Sequence, residues 1–222
     1  IPSFTAVNTG VSPVTAIITV TAVYTNAGIT CTGNSQSFTI VVNPTPTVNP
    51  VANQVLCNGS NTAAVNFTGS VPGTIYNWTN NNTSIGLAAA GAGNIASFVA
   101  TNATNVAQTA TITVTPNFSN TVTCAGTPIT FTITVNPIPT VNPVANQTVC
   151  AGTTVTQAFT GTVAGTVYSW TNSNTAIGLA ASGTGNLNFV STNATGAPLT
   201  GTITVTPSYT NAGGTCTGTP TT

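Results

Sequence analysis

The chain repeats itself with a period of one small domain. The string PTVNPVANQ occupies positions 46–54 and recurs unchanged at 139–147, an offset of 93 residues. TITVTP at 111–116 returns at 202–207, and FTIVVNPTPT at 38–47 aligns with FTITVNPIPT at 131–140. Because a period of this length corresponds to a whole domain, the sequence predicts an array of similar domains.

The repeat divides the chain into three parts. We predict that residues 1–46 are the C-terminal half of a repeat, 47–139 a complete repeat, and 140–222 a repeat that lacks its last strand. These parts are called the half-repeat, the full repeat and the second repeat below. Since neither terminus falls where a domain would end, we expect a segment of a longer array. Proline recurs in the joints, residues 43–50 and 136–143, which predicts a semi-rigid polyproline-type spacer.

Within each repeat, hydrophobic residues alternate with polar ones. In residues 111–115, Ile112 and Val114 share one face, and threonines occupy the other. Such a period of two predicts half-buried strands. Residues 130–135 should point Phe131, Ile133 and Val135 inward, with counterparts at Phe38, Ile40 and Val42.

Further strands are predicted near residues 62–68, 74–79, 84–89 and 95–101, between turns rich in Gly, Asn and Pro. No segment shows a helical pattern. About seven short strands per repeat, at this spacing, indicate an all-β fold of tandem antiparallel immunoglobulin-like β-sandwiches.

Not one residue is Asp, Glu, Lys, Arg or His, whereas Thr (51 residues) and Asn (27 residues) are abundant. Soluble proteins usually carry about a quarter charged residues. General acid/base catalysis needs a group that exchanges a proton near neutral pH, and no side chain here can activate a serine, threonine or cysteine nucleophile. The composition therefore predicts no catalytic residue and no enzyme.

The same absence limits the partners that the chain can bind. Nucleic acids are bound mainly through Lys and Arg, and hard metal ions prefer carboxylate ligands. The cysteines form no CxxC pair, and no apolar run approaches the roughly 18 residues of a membrane helix. We therefore predict no nucleic-acid partner, no metal site, no cofactor and no membrane insertion in this segment. A neutral surface also lacks the charges that keep sheet edges apart, which favours self-association into filaments.

The five cysteines occupy two positions of the repeat. Cys57 and Cys150 share the first position, whereas Cys31, Cys124 and Cys216 share the second. The repeat therefore predicts one disulfide per repeat, Cys57–Cys124 and Cys150–Cys216, with Cys31 unpaired in this segment. Closing a loop of about 68 residues would stabilise a domain by roughly 4 kcal/mol and would indicate an oxidising, extracellular setting. The alternative is buried free thiols in a cytosolic protein.

Two aromatic pairs recur in the repeat. Tyr76 and Trp78 lie in YNW, and Tyr168 and Trp170 lie in YSW. Residues two apart share a strand face, so each pair is predicted to anchor the core through the third strand. The alternative function for these rings is a platform on which sugars stack.

Three segments of the second repeat carry a family resemblance: TVNPVANQTVCAGT, GTVYSWTNSNTAIGLAASGTG and GTITVTPSYTNAGGTCTGTP. They resemble the PKD-like repeats found in tandem in very large surface and secreted proteins of Bacteroidota. The resemblance implies an extracellular cell-surface adhesin or surface filament in which the repeats serve as spacers. The acidic and glycine residues that commonly follow YxW in PKD repeats are replaced here by Thr79 and Asn80, and by Thr171 and Asn172, so the resemblance implies no calcium-linked role.

Together these observations predict a structural, non-enzymatic repeat region that acts as a stiff, disulfide-pinned stalk or fibre in contact with neighbouring repeats. The near identity of IGLAAAGAG at 85–93 and IGLAASGTG at 177–185 favours a spacer. The alternative is a binding module whose sandwich loops recognise glycans or surface proteins. Because the loop before the second cysteine differs between NFSNTVTC and SYTNAGGTC, we expect binding contacts there.

Overall fold

The computed structural model describes residues 1–222 and is almost entirely β. It contains sixteen strands and two 3₁₀ turns of three residues each. The predicted all-β fold is confirmed.

The full repeat is built on one six-stranded sheet. Its strands are β5 (Gln54–Cys57), β6 (Ile75–Asn80), β7 (Ala90–Ala92), β8 (Gln108–Asn120), β9 (Val122–Ala125) and β10 (Ile129–Asn136). The order across the sheet is β5-β10-β8-β6-β7, and β9 pairs with β8. All pairs are antiparallel except β5 with β10, which is parallel.

A second layer covers one face of this sheet. It consists of the segments around residues 61–67 and 95–99, which meet in two isolated antiparallel bridges, Asn61 with Val99 and Val65 with Ile95. The strands predicted near 62–68 and 95–101 are therefore present only as short bridges in this repeat. The two layers enclose fifteen buried hydrophobic residues, and the predicted inward residues Phe131, Ile133 and Val135 are at most 2% exposed.

The strand predicted at 84–89 is wrong. Thr83–Ile85 is a 3₁₀ turn that ends at Gly86 with φ 94°, and the side chain of Asn82 caps it by accepting from the amide of Ser84. The turn places Ile85 in the core with no exposed surface. The strand at this point of the sheet comes later, at β7.

The second repeat follows the same plan. Its strands are β11 (Thr154–Gln157), β12 (Val167–Asn172), β13 (Ser182–Thr184), β14 (Leu187–Val190), β15 (Ile203–Asn211) and β16 (Gly214–Thr217). They form a β13-β12-β15-β16 sheet and a facing β11-β14 pair. Residues 147–150, the counterpart of β5, form no strand here, because this part of the chain has no counterpart of β10 to pair with.

The half-repeat is a single open layer. Its strands are β1 (Val14–Val20), β2 (Val23–Asn26), β3 (Ile29–Thr32) and β4 (Gln36–Val42), paired as β1-β4 and β2-β3. Residues 4–7 lie beside the inner face of β1 and β4, but they form no strand and cover that face only in part. Phe38, predicted to point into a core, is consequently 47% exposed.

Candidate functional site

The two cysteines of the full repeat lie at opposite ends of its sheet. Cys57 is in register with Asn136 at the end of β10, next to Val135, which opposes Gln108 at the start of β8. Cys124 instead opposes Phe118, ten positions further along β8. That distance is roughly 33 Å at about 3.3 Å per residue, whereas a disulfide needs Cα atoms within about 7 Å. The expected Cys57–Cys124 pair is therefore wrong.

The disulfide of this structure crosses the joint between two repeats. It links Cys57 of the full repeat to Cys216 of the second repeat, with Cα atoms 5.6 Å apart and 159 positions between them in sequence. The expected Cys150–Cys216 pair is wrong as well, because Cys216 is already bonded. Cys31 and Cys150 are free and exposed, and Cys124 is free and half-buried. One disulfide between repeats replaces the expected one within each repeat.

A buried asparagine holds the same joint by its side-chain amide. Asn136 has no exposed surface, and its Nδ2 donates to the carbonyls of Asn211 (3.1 Å) and Gly214 (3.3 Å). Its Oδ1 accepts from Nδ2 of Asn211 at 3.0 Å. Since an unpaired buried polar group costs about 1–3 kcal/mol, these bonds fix the turn of the second repeat against the last strand of the full repeat.

The joint between the half-repeat and the full repeat has the same contacts. Asn43 Nδ2 donates to the carbonyls of Asn120 (3.0 Å) and Val122 (3.1 Å), and Nδ2 of Asn120 donates to Asn43 Oδ1 (3.3 Å). These residues occupy the positions of Asn136, Gly214 and Asn211 in the repeat. Sequence reasoning missed them, although Asn before Pro in FTIVVNP and FTITVNP was the available signal.

The proline-rich linkers lie against the repeat that follows them rather than acting as separate spacers. Pro46 and Pro139 are fully buried. A Cβ at Gly126 would overlap the carbonyl of Pro46, and one at Gly218 would overlap the carbonyl of Pro139. Only glycine permits this close approach. The linkers are therefore held by packing against the following repeat, in addition to the restriction that proline places on their backbone.

The variable loop before the second cysteine lies in the joint. In the full repeat this loop contributes the carbonyls of Asn120 and Val122 to Asn43, and in the second repeat it contributes those of Asn211 and Gly214 to Asn136. Its observed contacts are thus with the preceding repeat.

The recurring aromatic residues are placed alike in both complete sheets. Trp78 and Trp170 are each 8% exposed, and Tyr76 is 9% exposed, whereas Tyr168 is half-buried. Each indole lies over a glycine, so that a Cβ at Gly91 would overlap the Trp78 ring. Neither indole N–H has a hydrogen-bond partner. Burial raises the pKa of the Tyr76 hydroxyl above its usual value.

A shallow concavity of about 310 Å³ lies on the sheet of the second repeat, above Gly183. Its rim consists of hydroxyl side chains on the outer face of the sheet, whereas the indole of Trp170 points to the opposite face, into the core. The hydroxyls belong to Ser169, Thr171, Ser182, Thr184, Thr204 and Thr206. Such a surface offers neutral donors and acceptors but no charge.

No three His, Cys, Asp or Glu side chains are grouped where they would hold a metal ion. The two helical turns are far too short to cross a bilayer.

Residues 54–139 match the family model of the PKD-like domain. This range runs from the start of β5 to three residues past β10, and so covers the sandwich of the full repeat. The search of curated proteins found no match for the chain. The full repeat is therefore similar to the PKD-like domain, and its structure is a two-layer β-fold.

Proposed function

We propose that this chain is a structural, non-enzymatic region of a large extracellular cell-surface adhesin or filament, in which tandem repeats form a stiff stalk or fibre. The observation that carries the proposal is the joint. The same asparagine contacts occur at both joints, and at one of them a disulfide also bonds consecutive repeats. A flexible spacer would need neither, whereas a stalk needs each repeat held at a fixed angle to the next.

Lack of catalytic groups supports the same function. PKD-like domains are generally non-catalytic, and the chain has no Asp, Glu, Lys, Arg or His to act as a general acid or base. A disulfide persists in oxidising surroundings, which supports an extracellular location.

The sheet surface supports lateral packing of such stalks into fibres. Outward hydroxyls bond to each other across strands, as in Thr19 with Ser37 at 2.9 Å and Thr210 with Thr215 at 2.9 Å. Hydroxyls already paired in this way lose little hydration when another sheet covers them, and no like charges repel.

Electron microscopy of the 222-residue chain tests the stalk. We expect a narrow distribution of angles between the full and second repeats, and a broad distribution in the double variant Cys57→Ser/Asn136→Ala. The variant Asn188→Ala, at an exposed strand position without side-chain hydrogen bonds, is the matched control. Equally broad angles in the unmodified chain would refute the stiff stalk. Labelling intact source cells with antibodies to residues 47–139 tests the surface location.

The hydroxyl-rimmed concavity above Gly183 favours a second candidate, a glycan-binding module. Neutral hydroxyls can hydrogen-bond to an uncharged sugar, and no charged group competes for it. Isothermal titration calorimetry with neutral oligosaccharides tests this function. Thr204→Val should abolish a response, and Thr25→Val, on the half-repeat, should leave it unchanged; no response to any neutral sugar would exclude the candidate.

A further inference from the structure

The free Cys124 occupies the same position relative to the first joint as the bonded Cys216 does relative to the second joint. Cys216 lies two residues beyond Gly214, whose carbonyl accepts from the amide of Asn136. Cys124 lies two residues beyond Val122, whose carbonyl accepts from the amide of Asn43. The disulfide between repeats at the second joint is called the clamp below. The first joint therefore has one of the two cysteines that such a clamp needs.

The surface beside Cys124 is also unpartnered. Val122 is 67% exposed, whereas Gly214, at the same position of the second repeat, lies against the Val55 side chain of β5. A segment like β5, which ends in a cysteine, would cover Val122 and bring its sulfur to Cys124. No such segment precedes Asn43 within residues 1–43, where the counterparts of β8 and β10 are present but no counterpart of β5 is.

From this correspondence we propose that Cys124 is the docking half of a second inter-repeat disulfide, whose partner is the first-position cysteine of a PKD-like repeat placed directly before the full repeat. By the same correspondence, Cys31 pairs with the first-position cysteine of the repeat that precedes the half-repeat's own. It assigns Cys150, the counterpart of Cys57, to a second-position cysteine of a following repeat. Each repeat then carries one clamp cysteine at each end of its sheet, so that successive clamps interlock along the array.

The bond forms by ordinary thiol oxidation. The two thiols lose two protons and two electrons as the S–S bond forms, and a small disulfide such as oxidised glutathione accepts them and is reduced to two thiols. No group of the chain other than the two cysteines takes part.

The test uses a chain in which the half-repeat is extended to a whole repeat. A chain preceded by a copy of residues 44–94 gains the segments that the half-repeat lacks, including a copy of Cys57. The chain and its extended form are refolded in a glutathione redox buffer, alkylated in the native state and mapped by peptide mass spectrometry. Persistence of the Cys57–Cys216 bond serves as the internal control for folding.

We expect native alkylation at Cys124 to be lost in the extended chain and a peptide linking Cys124 to the copy of Cys57 to appear. Alkylation at Cys31 and Cys150 should persist. In the matched variant Cys124→Ser of the extended chain, the copy of Cys57 should stay free. A bond between the copy of Cys57 and Cys31, which lies in the same repeat, would overturn the proposal, and so would continued alkylation of Cys124.

This inference rests on the proposed stalk function, but different results would refute the second clamp and the stalk. Loss of the Cys124 bond with a narrow angle between repeats in electron micrographs would reject the second clamp and keep the stalk. A mapped Cys124 bond in a chain with freely varying angles would keep the clamp and reject stiffness.

Discussion

Asparagine amides satisfy buried backbone groups that a charged side chain could serve only at a higher cost of desolvation. Asn102 is 4% exposed, and its Nδ2 donates to the carbonyls of Val106 and Val135, both at 2.8 Å. Asn80 likewise donates to Leu87 O at 3.0 Å. A neutral amide avoids the several kcal/mol that an ion loses on burial. The abundance of Asn is thus consistent with a fold that holds its loops without ions.

The contact between Trp78 and Gly91 makes a prediction about packing. Gly91→Ala places a methyl group inside the volume of the indole, so the ring or β7 must shift. Overpacking of this kind usually costs about 1–3 kcal/mol. Urea denaturation followed by tryptophan fluorescence should show the loss. Gly196→Ala is the control, because nothing lies within 4 Å of its added Cβ and its φ is not positive; an equal loss there would contradict the assignment.

The buried hydroxyl of Tyr76 makes a prediction about pH. Burial raises its pKa, so above pH about 10, the usual value for tyrosine, the unfolded chain releases this proton before the folded chain does. The unfolded state then binds fewer protons, and stability falls as pH rises through the folded-state pKa.

With the free cysteines alkylated, the melting temperature should therefore be nearly constant between pH 4 and 8, since no Asp, Glu, His, Lys or Arg titrates there. It should fall above pH about 10. Tyr76→Phe should lessen that fall. A shift of many degrees between pH 4 and 8 would contradict this account.

At the scale of elements, two strands of nearly the same sequence are in different environments. FTITVN forms β10 in the middle of a covered sheet, whereas FTIVVN forms β4 in the single open layer of the half-repeat. Phe131 is 2% exposed, and Phe38 is 47% exposed. The pattern of a strand thus determines which side faces inward, but the elements around it determine how much that side is buried.

The two phenylalanines are therefore predicted to contribute differently to the free energy of unfolding. Phe131→Ala should lower the free energy of unfolding by about 3–5 kcal/mol, as for other buried aromatic residues. Phe38→Ala should cost only about 1 kcal/mol, because nearly half of its surface is already in water. Urea denaturation followed by far-UV circular dichroism measures both, and similar losses would show that β4 is covered in solution.

The sequence predicted the inward side of a strand where the alternation extends over many residues. It did not predict contacts that depend on how one repeat lies against the next. The inward side of β8 and β10 was predictable because alternation spans both strands. The 3₁₀ turn at Thr83–Ile85 was not, because one capping asparagine and Gly86 override an apolar run. The cysteine pairing failed because equivalence in a repeat gives no distance. Cys57 and Cys124 belong to one repeat but lie at opposite ends of its sheet.

At the scale of the whole molecule, the Cys57–Cys216 bond provides a covalent path that bypasses most of the full and second repeats. The bond closes a loop of 159 sequence positions. Tension applied along the chain passes through the disulfide, so unfolding of the residues inside the loop does not lengthen the molecule. The chain should therefore resist extension even when one of these two repeats opens.

Single-molecule pulling from residue 1 to residue 222 measures this bypass. In the oxidised chain, the contour length after all unfolding events should exclude the loop. The double variant Cys57→Ser/Cys216→Ser should be longer by about 550 Å, from 159 positions at about 3.3–3.6 Å each. Cys31→Ser, which removes a free cysteine, should match the oxidised chain. Equal contour lengths for the oxidised chain and the double variant would mean that the clamp is not formed in solution, because a closed loop cannot extend under force.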